Sequence, residues 1–162
     1  MKRLFFLLII STVCCSLLTS CEDERTKYLT IGIFDGMVSV KDEYKNQIQY
    51  ATIESKLYDI TVIGISAYGF SNCKNLKELT INEGPTIIKE YAFDKCEQLY
   101  RIHISKSISS IGEYAFNDCL KLKLIFYNGT KEEWNKISKG TNWKDLERTC
   151  TIYYADETYE LL

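Results

Sequence analysis

Apolar and polar positions divide the chain into distinct regimes. After the cationic start Met1-Lys2-Arg3, residues 4–15 (LFFLLIISTVCC) are almost unbroken apolar. The middle of the chain instead repeats a mixed pattern at a fixed step of 23, which relates Cys73, Cys96 and Cys119. The same step relates Tyr68, Tyr91 and Tyr114; Phe70, Phe93 and Phe116; Leu76, Leu99 and Leu122; and Ile65, Ile88 and Ile111. Gly69 stands with Ala92 and Ala115, Leu79 with Ile102 and Ile125, and Ile81 with Ile104 and Tyr127. Eight apolar or small columns over three copies without a gap identify a repeat, and the repeat decides how every element inside it is read.

Each copy has apolar residues at i, i+3 and i+5: Leu76, Leu79 and Ile81, then Leu99, Ile102 and Ile104, then Leu122, Ile125 and Tyr127. The end of this spacing alternates with period 2, so it predicts a strand with one apolar face. Stacked in register, such strands form a parallel ribbon in which each copy covers the apolar face of the next. The returning half, as in Ile88-Lys-Glu-Tyr91-Ala92-Phe93-Asp-Lys-Cys96, is too short for a regular helix. It predicts a 3₁₀ or irregular turn with Ala and Phe pointing inward, and the tyrosine column beside them reads as half-buried packing, the alternative being an exposed row of rings that stacks on sugars.

A solenoid exposes its end faces unless something covers them. Residues 28–34, 37–40 and 48–53 are strand-like, with Asp35-Gly36 a hairpin turn, so 28–57 predicts an N-terminal β cap before repeats at 58–128. Residues 129–162 predict a C-terminal cap. There, Thr130-Lys-Glu-Glu133 is a capping box opening a short helix to about Ser138, with Trp134 and Ile137 on one face. Trp143 and Leu146 add apolar bulk, and Thr151-Ile-Tyr-Tyr154 closes as a strand.

The pattern I-x-x-x-A-F-x-x-C-x-x-L-x-x-I-x-I, at 88–104 and 111–127, resembles the repeats of the bacterial BspA-like surface-antigen family. Residues 126–154 also resemble the usual carboxyl end of such proteins, and the likeness covers roughly residues 50–154. It implies a leucine-rich-repeat solenoid, here of about three 23-residue repeats, with a β-hairpin N-cap and a helix-plus-strand C-cap. It further implies attachment to other proteins or cells from a bacterial surface, with no catalytic activity in the repeat. The first copy departs from the pattern, with Gly69 in place of Ala and Ile63-Gly64 offering a register two residues earlier. Pro85 also stands where the next copy has Ile108.

As a helix, residues 4–18 would span ~22 Å at ~1.5 Å per residue, short of the ~30 Å hydrocarbon core, so 1–20 reads as a secretory signal peptide. Leu18-Thr19-Ser20-Cys21 resembles the bacterial lipobox, which implies cleavage before Cys21 and lipid on its thiol and new amino group. Cleavage removes Lys2 and Arg3 and takes the formal charge from −2 to −4. Several acyl chains on one residue anchor durably. The acidic tether at 21–27 resembles surface-export signals of some Gram-negative lipoproteins, so the expected location is the outer membrane, exposed on the cell surface.

Composition removes alternatives. A length of 162 residues suits one domain. With 20 Lys+Arg against 22 Asp+Glu there is no basic excess, and no nucleic-acid partner is expected. One His and no C-x-x-C pair leave no zinc ligand set, so neither a metal nor another cofactor is expected. Cys73, Cys96, Cys119 and Cys150 read as buried thiols, because side chains running parallel in one column do not present disulfide geometry. His103 has no partnered nucleophile, and the eight glycines form no phosphate loop, so the chain is not read as an enzyme.

Binding is the chemistry that remains. The concave strand face should present Glu78, Thr80 and Asn82, then Arg101, His103 and Ser105, then Leu124, Phe126 and Asn128. The candidate ligand set is Arg101, His103, Leu124 and Phe126 with Glu78 and Thr80, an apolar patch beside a cation. Arg101 has no acidic partner in its own strand, which predicts a guanidinium free for a ligand carboxylate. The alternation leaves open whether the carboxyl cap covers Phe126. The expected partner is a protein or glycan, bound by a monomer; the alternatives are an architectural envelope component that contacts its own copies or the cell wall and, behind it, an enzyme built on carboxylates that the sequence does not single out.

Overall fold

Leu79 and Ile81, Ile102 and Ile104, and Ile125 and Tyr127 are buried while Thr80, His103 and Phe126 between them are not, as a strand with one face on a core requires. The computed structural model describes residues 28–144 and 149–162. The signal segment, Cys21 with its tether, and Leu146 lie outside the described residues.

In chain order the elements are β1 (Leu29–Ile31), β2 (Met37–Val40), β3 (Tyr50–Ile53), β4 (Lys56–Leu57), β5 (Ile60–Thr61), β6 (Gly64–Ile65), β7 (Glu78–Ile81) and β8 (Ile87–Ile88). Then come β9 (Arg101–Ile104), β10 (Ser110–Ile111), β11 (Leu124–Tyr127), helix α1 (Lys131–Lys136), β12 (Ser138–Lys139), β13 (Thr151–Tyr154) and β14 (Tyr159–Leu161). The four-residue strands β3, β7, β9, β11 and β13 form one parallel ribbon, and β2, β6, β8, β10 and β12 form a second. The antiparallel strand β1 closes the first edge of the short-strand ribbon, and β14 closes the last edge of the long-strand ribbon.

The third side of each turn is a tight return, and of the two geometries expected there, 3₁₀ or irregular, it takes the irregular one. Tyr68, Tyr91 and Tyr114 adopt left-handed φ values of 56°, 53° and 54°, and Asn72, Lys95 and Asp118 follow at 63°, 58° and 51°. A left-handed residue costs about 1–2 kcal/mol outside glycine, and it breaks any helical run. What it achieves is orientation. The N–H groups of Tyr91, Phe93 and Lys95 donate to the carbonyls of Glu113, Ala115 and Asn117 on the next turn, at 3.0, 2.8 and 2.9 Å. The return is thus a third hydrogen-bonded side, in addition to its own local turn bonds such as Asp94 N–H to Tyr91 O at 3.1 Å.

Three repeats become five turns, because β2 and β3, assigned by sequence to the 28–57 cap, and β12 and β13, assigned to the 129–162 cap, pair in register with the ribbons. The repeat step hid them. Ribbon partners are 23 residues apart between β7, β9 and β11, but Tyr50 and Glu78 are 28 apart, and Leu124 and Thr151 are 27 apart. The β4–β5 hairpin lengthens one end turn and α1 the other, so neither end aligns at the inner step. Gly69 has its own cause: a Cβ there would stand 3.0 Å from the Val38 carbonyl oxygen and 3.3 Å from Ser39 Cβ, so the first turn packs where alanine would intrude.

The core runs along the axis as stacked columns. Phe70, Phe93 and Phe116 are fully buried, with ring centroids 5.1 and 5.0 Å apart. Cys73, Cys96, Cys119 and Cys150 are buried and remain thiols. Cys96 and Cys119 donate S–H to the carbonyls of Phe70 and Phe93 at 3.1 and 3.2 Å. Burial pushes the Cys96 thiol well above its usual pKa, with the neighbouring Cys73 and Cys119 adding to the shift. At the C-terminal end α1 begins at Thr130, whose hydroxyl accepts from Glu133 N–H while Glu133 Oε2 accepts from Thr130 N–H at 2.8 Å. That helix lays Trp134 over Tyr127, 5.2 Å between centroids, and against Trp143 at 5.8 Å, closing the core.

Phe93 sits in the central turn, so Phe93→Ala is expected to cost about 3–5 kcal/mol and to melt the whole array in one transition, followed by thermal unfolding. Cys96 should resist thiol reagents in the native protein and react only on unfolding. An unchanged melting temperature or rapid native labelling contradicts the assignment of inside and outside.

Candidate functional site

Parallel pairing puts Glu78, Arg101 and Leu124 in one row across β7, β9 and β11, and Thr80, His103 and Phe126 in the next. All six expected residues therefore share the solvent side of the long-strand ribbon, each half-buried at its base. Because strands in a ribbon are about 4.8 Å apart, like side chains in a row meet face to face. His103 stacks on Phe126 at 4.8 Å and 12°, and Phe126 stacks on Tyr153 of β13 at 5.1 Å and 15°. Tyr153 then meets Tyr159 of β14 at 6.0 Å. The carboxyl cap does not lie over Phe126; it continues the row with two more rings.

Arg101 corrects an expectation. Its own strand holds no acid, but the neighbouring β7 does, and Glu78 Oε2 lies 3.5 Å from Nη1 while Oε1 lies 3.5 Å from His103 Nε2. A partner 23 residues away is invisible within one strand and obligatory in a ribbon of this register. Both members are more than a third exposed at the side chain, so the pair is worth no more than about 1 kcal/mol, and a ligand carboxylate can compete for it. The guanidinium also lies 5.8 Å from the Phe126 centroid, and its buried Nε has no hydrogen-bond partner among the described residues. Beside the rings a groove of about 520 Å³ is lined by His103, Phe126, Thr80, Asn82, Ser105 and Asn128. Asn82 is already engaged, donating from Nδ2 to Glu54 Oε2 at 2.9 Å.

Sequence reasoning missed Tyr153 and Tyr159. A signal existed for the first: Thr151-Ile-Tyr-Tyr154 matches Leu124-Ile-Phe-Tyr127 position for position, and their pairing is in that register. Tyr159 reaches the row through an antiparallel return that no repeat announces. Among the described residues no group of three or more His, Cys, Asp or Glu could hold a metal ion, and no helix is long and apolar enough to cross a membrane.

Residues 43–145 match the description of the BspA type leucine rich repeat region in six copies. The chain belongs to the BspA-type leucine-rich-repeat family. Among solved structures, this BspA-type chain is similar to a leucine rich cell surface protein from Faecalibacterium prausnitzii A2-165, 46% identical over 43% of this chain and 18% of that one, with a TM-score of 0.42. It is also similar to the leucine rich repeat protein of T. pallidum, 18% identical over 64% of this chain and 52% of that one, with a TM-score of 0.52. The second shows the fold. In both cases the BspA-type chain spans well under two thirds of the other protein. No curated protein matches it.

In this BspA-type protein β14 covers the last edge of the ribbon, held there by side-chain contacts. Glu160 accepts from Lys131 Nζ at 2.7 Å and from the Tyr154 hydroxyl, tying β14 to α1 and β13. The ammonium of Lys131, then the Tyr154 hydroxyl, hold the Glu160 carboxyl below its ordinary value of 4.5, while burial and the same carboxylate push Tyr154 up. A lowered folded pKa means the clamp is fully present above pH 4.5 and is lost as pH falls through the folded value. The protection of residues 159–161 against hydrogen exchange, taken relative to the intrinsic rate at each pH, should therefore fall on acidification below that point. Glu160→Gln should show faster exchange at neutral pH and lose that acid dependence; equal exchange in both proteins throughout would remove the clamp from the account.

Proposed function

We propose that this protein is a lipid-anchored bacterial surface module that adheres to a protein or glycan partner through the exposed face of its long-strand ribbon. The observation that carries this reading is the continuous row His103, Phe126, Tyr153 and Tyr159 with Arg101 and Glu78 alongside, a rigid aromatic surface with one displaceable cation. Aromatic and Arg side chains are the residues that most often dominate interface energetics. Membership of a repeat family and likeness to a bacterial cell-surface protein support the surface placement. No catalysed reaction is part of the proposal. The rings of Phe126 and Tyr153 are engaged on their faces and present edges, which suit apolar side chains and carbonyl or carboxylate oxygens of a protein better than the C–H face of a sugar.

Two measurements test this. Cys21→Ala should move the protein from the membrane pellet to the soluble fraction with its circular dichroism unchanged; continued pelleting counts against the lipid anchor. Against a panel of matrix proteins and glycans, Arg101→Ala or Phe126→Ala should weaken the interaction found by about 2 kcal/mol or more while changing stability much less. Tyr114→Ala on the tyrosine column should leave it nearly intact. Loss at Tyr114 with none at Arg101 would move the site off the ribbon.

A further inference from the structure

The tyrosine ladder on the third side of the solenoid ends in an open ring. Tyr68 stacks on Tyr91 at 5.0 Å and 2°, Tyr91 stacks on Tyr114 at 5.1 Å and 14°, and Asn142 Nδ2 donates to the Tyr114 hydroxyl at 3.3 Å. Toward the N-terminus the column stops. The pairing of Met37 with Gly64 and Val38 with Ile65 places Lys41 level with Tyr68, and there the chain leaves in a 3₁₀ turn over Asp42–Tyr44. Lys41 Nζ lies over the Tyr44 ring instead, at 5.8 Å. Tyr68 is accordingly 52% exposed, whereas Tyr91 and Tyr114 are half-buried.

A depression of about 310 Å³ lies at that end, at the lower limit of small-molecule sites. Its lining joins Tyr68 to Thr30, Ser39, Ser66, Lys41, Asp42 and Lys45. Lys45 Nζ sits 2.9 Å from Asp42 Oδ1 on an exposed turn, so the rim carries an ion pair as well as three hydroxyls. The arrangement is amphipathic in a particular way: one flat aromatic surface inside a ring of short hydrogen-bonding groups. A purely apolar ligand would strand the rim, and a simple anion would leave the aromatic face unused. A pyranose has the matching form, with a C–H face on one side and hydroxyls around its perimeter.

We propose that this pocket binds a pyranose unit of a glycan, its C–H face on Tyr68 and its hydroxyls on Ser39, Ser66, Thr30 and Asp42. The site is on a different side of the solenoid from the ribbon and stands or falls separately from it.

The full chain, purified in detergent, is tested by saturation-transfer NMR with the methyl glycosides of glucose, galactose, mannose and N-acetylglucosamine. Transfer is expected to at least one, strongest at the protons of one ring face. Tyr68→Gly keeps the left-handed backbone open to it, and should weaken the affinity about threefold to tenfold, the range of one aromatic stacking contact. Asp42→Ala lies on an exposed turn outside the ladder; it should weaken the affinity several-fold, and it decides the matter if Tyr68→Gly unfolds. Tyr100→Ala, an exposed ring in neither site, should change nothing. No transfer to any of the glycosides, unchanged affinity in a folded Tyr68→Gly, or an equal loss in Tyr100→Ala each overturn the proposal.

Discussion

Backbone hydrogen bonds between successive turns set the geometry on which the rest of this molecule depends. They run along all three sides: Tyr100 N–H to Lys77 O, Ser109 N–H to Thr86 O and Phe93 N–H to Ala115 O, each at 2.8 Å. A turn paired on three sides cannot shift its register on one of them alone, since a slip of one residue reverses every side chain's face. Each residue is therefore held directly over its counterpart one turn away. Columns of like residues follow from this, and the ring separations of 4.8 to 5.1 Å in the aromatic columns match the spacing of paired strands.

The same constraint explains how the chain tolerates tyrosines in a left-handed conformation. Each costs about 1–2 kcal/mol taken alone. The inter-turn hydrogen bonds that this conformation directs, together with ring stacking of about 0.5–1.5 kcal/mol per pair, offset a cost of that size. The offset exists only inside an array, because each tyrosine relies on the turn beside it. Asn142, a residue type at ease with φ of 50°, takes the corresponding place in the last turn, where no further ring follows.

The inner turns were legible because hydrophobic periodicity and repeat step report the same thing: the burial of Leu79, Ile102 and Ile125 follows from alternation alone. The end turns were not, since the β4–β5 hairpin and α1 change the step from 23 to 27 or 28 while leaving the ribbon register intact. A comparison at fixed spacing sees register only through spacing. The left-handed returns were hidden for another reason: tyrosine has no local preference for that conformation, and tertiary hydrogen bonding imposes it. On the candidate site, alternation placed all six residues on one face, yet the Glu78–Arg101 pair and the ring of Tyr153 depend on which strands are neighbours, which is a property of the stack.

Stacking also divides the possible kinds of recognition between the interior and the ends of the array. A ring inside a column, such as Phe126 between His103 and Tyr153 or Tyr91 between its two tyrosines, has both faces occupied and offers its edge. Edges carry the positive rim of the ring quadrupole and suit oxygen atoms and apolar side chains. Only a ring at the end of a column keeps a face, and a face is what a sugar or another flat ligand needs. Inner turns thus favour broad contact with a protein surface and add stability, whereas end turns favour smaller ligands. A longer array of the same repeat would widen the first kind of surface turn by turn and still leave one open face where each aromatic column stops.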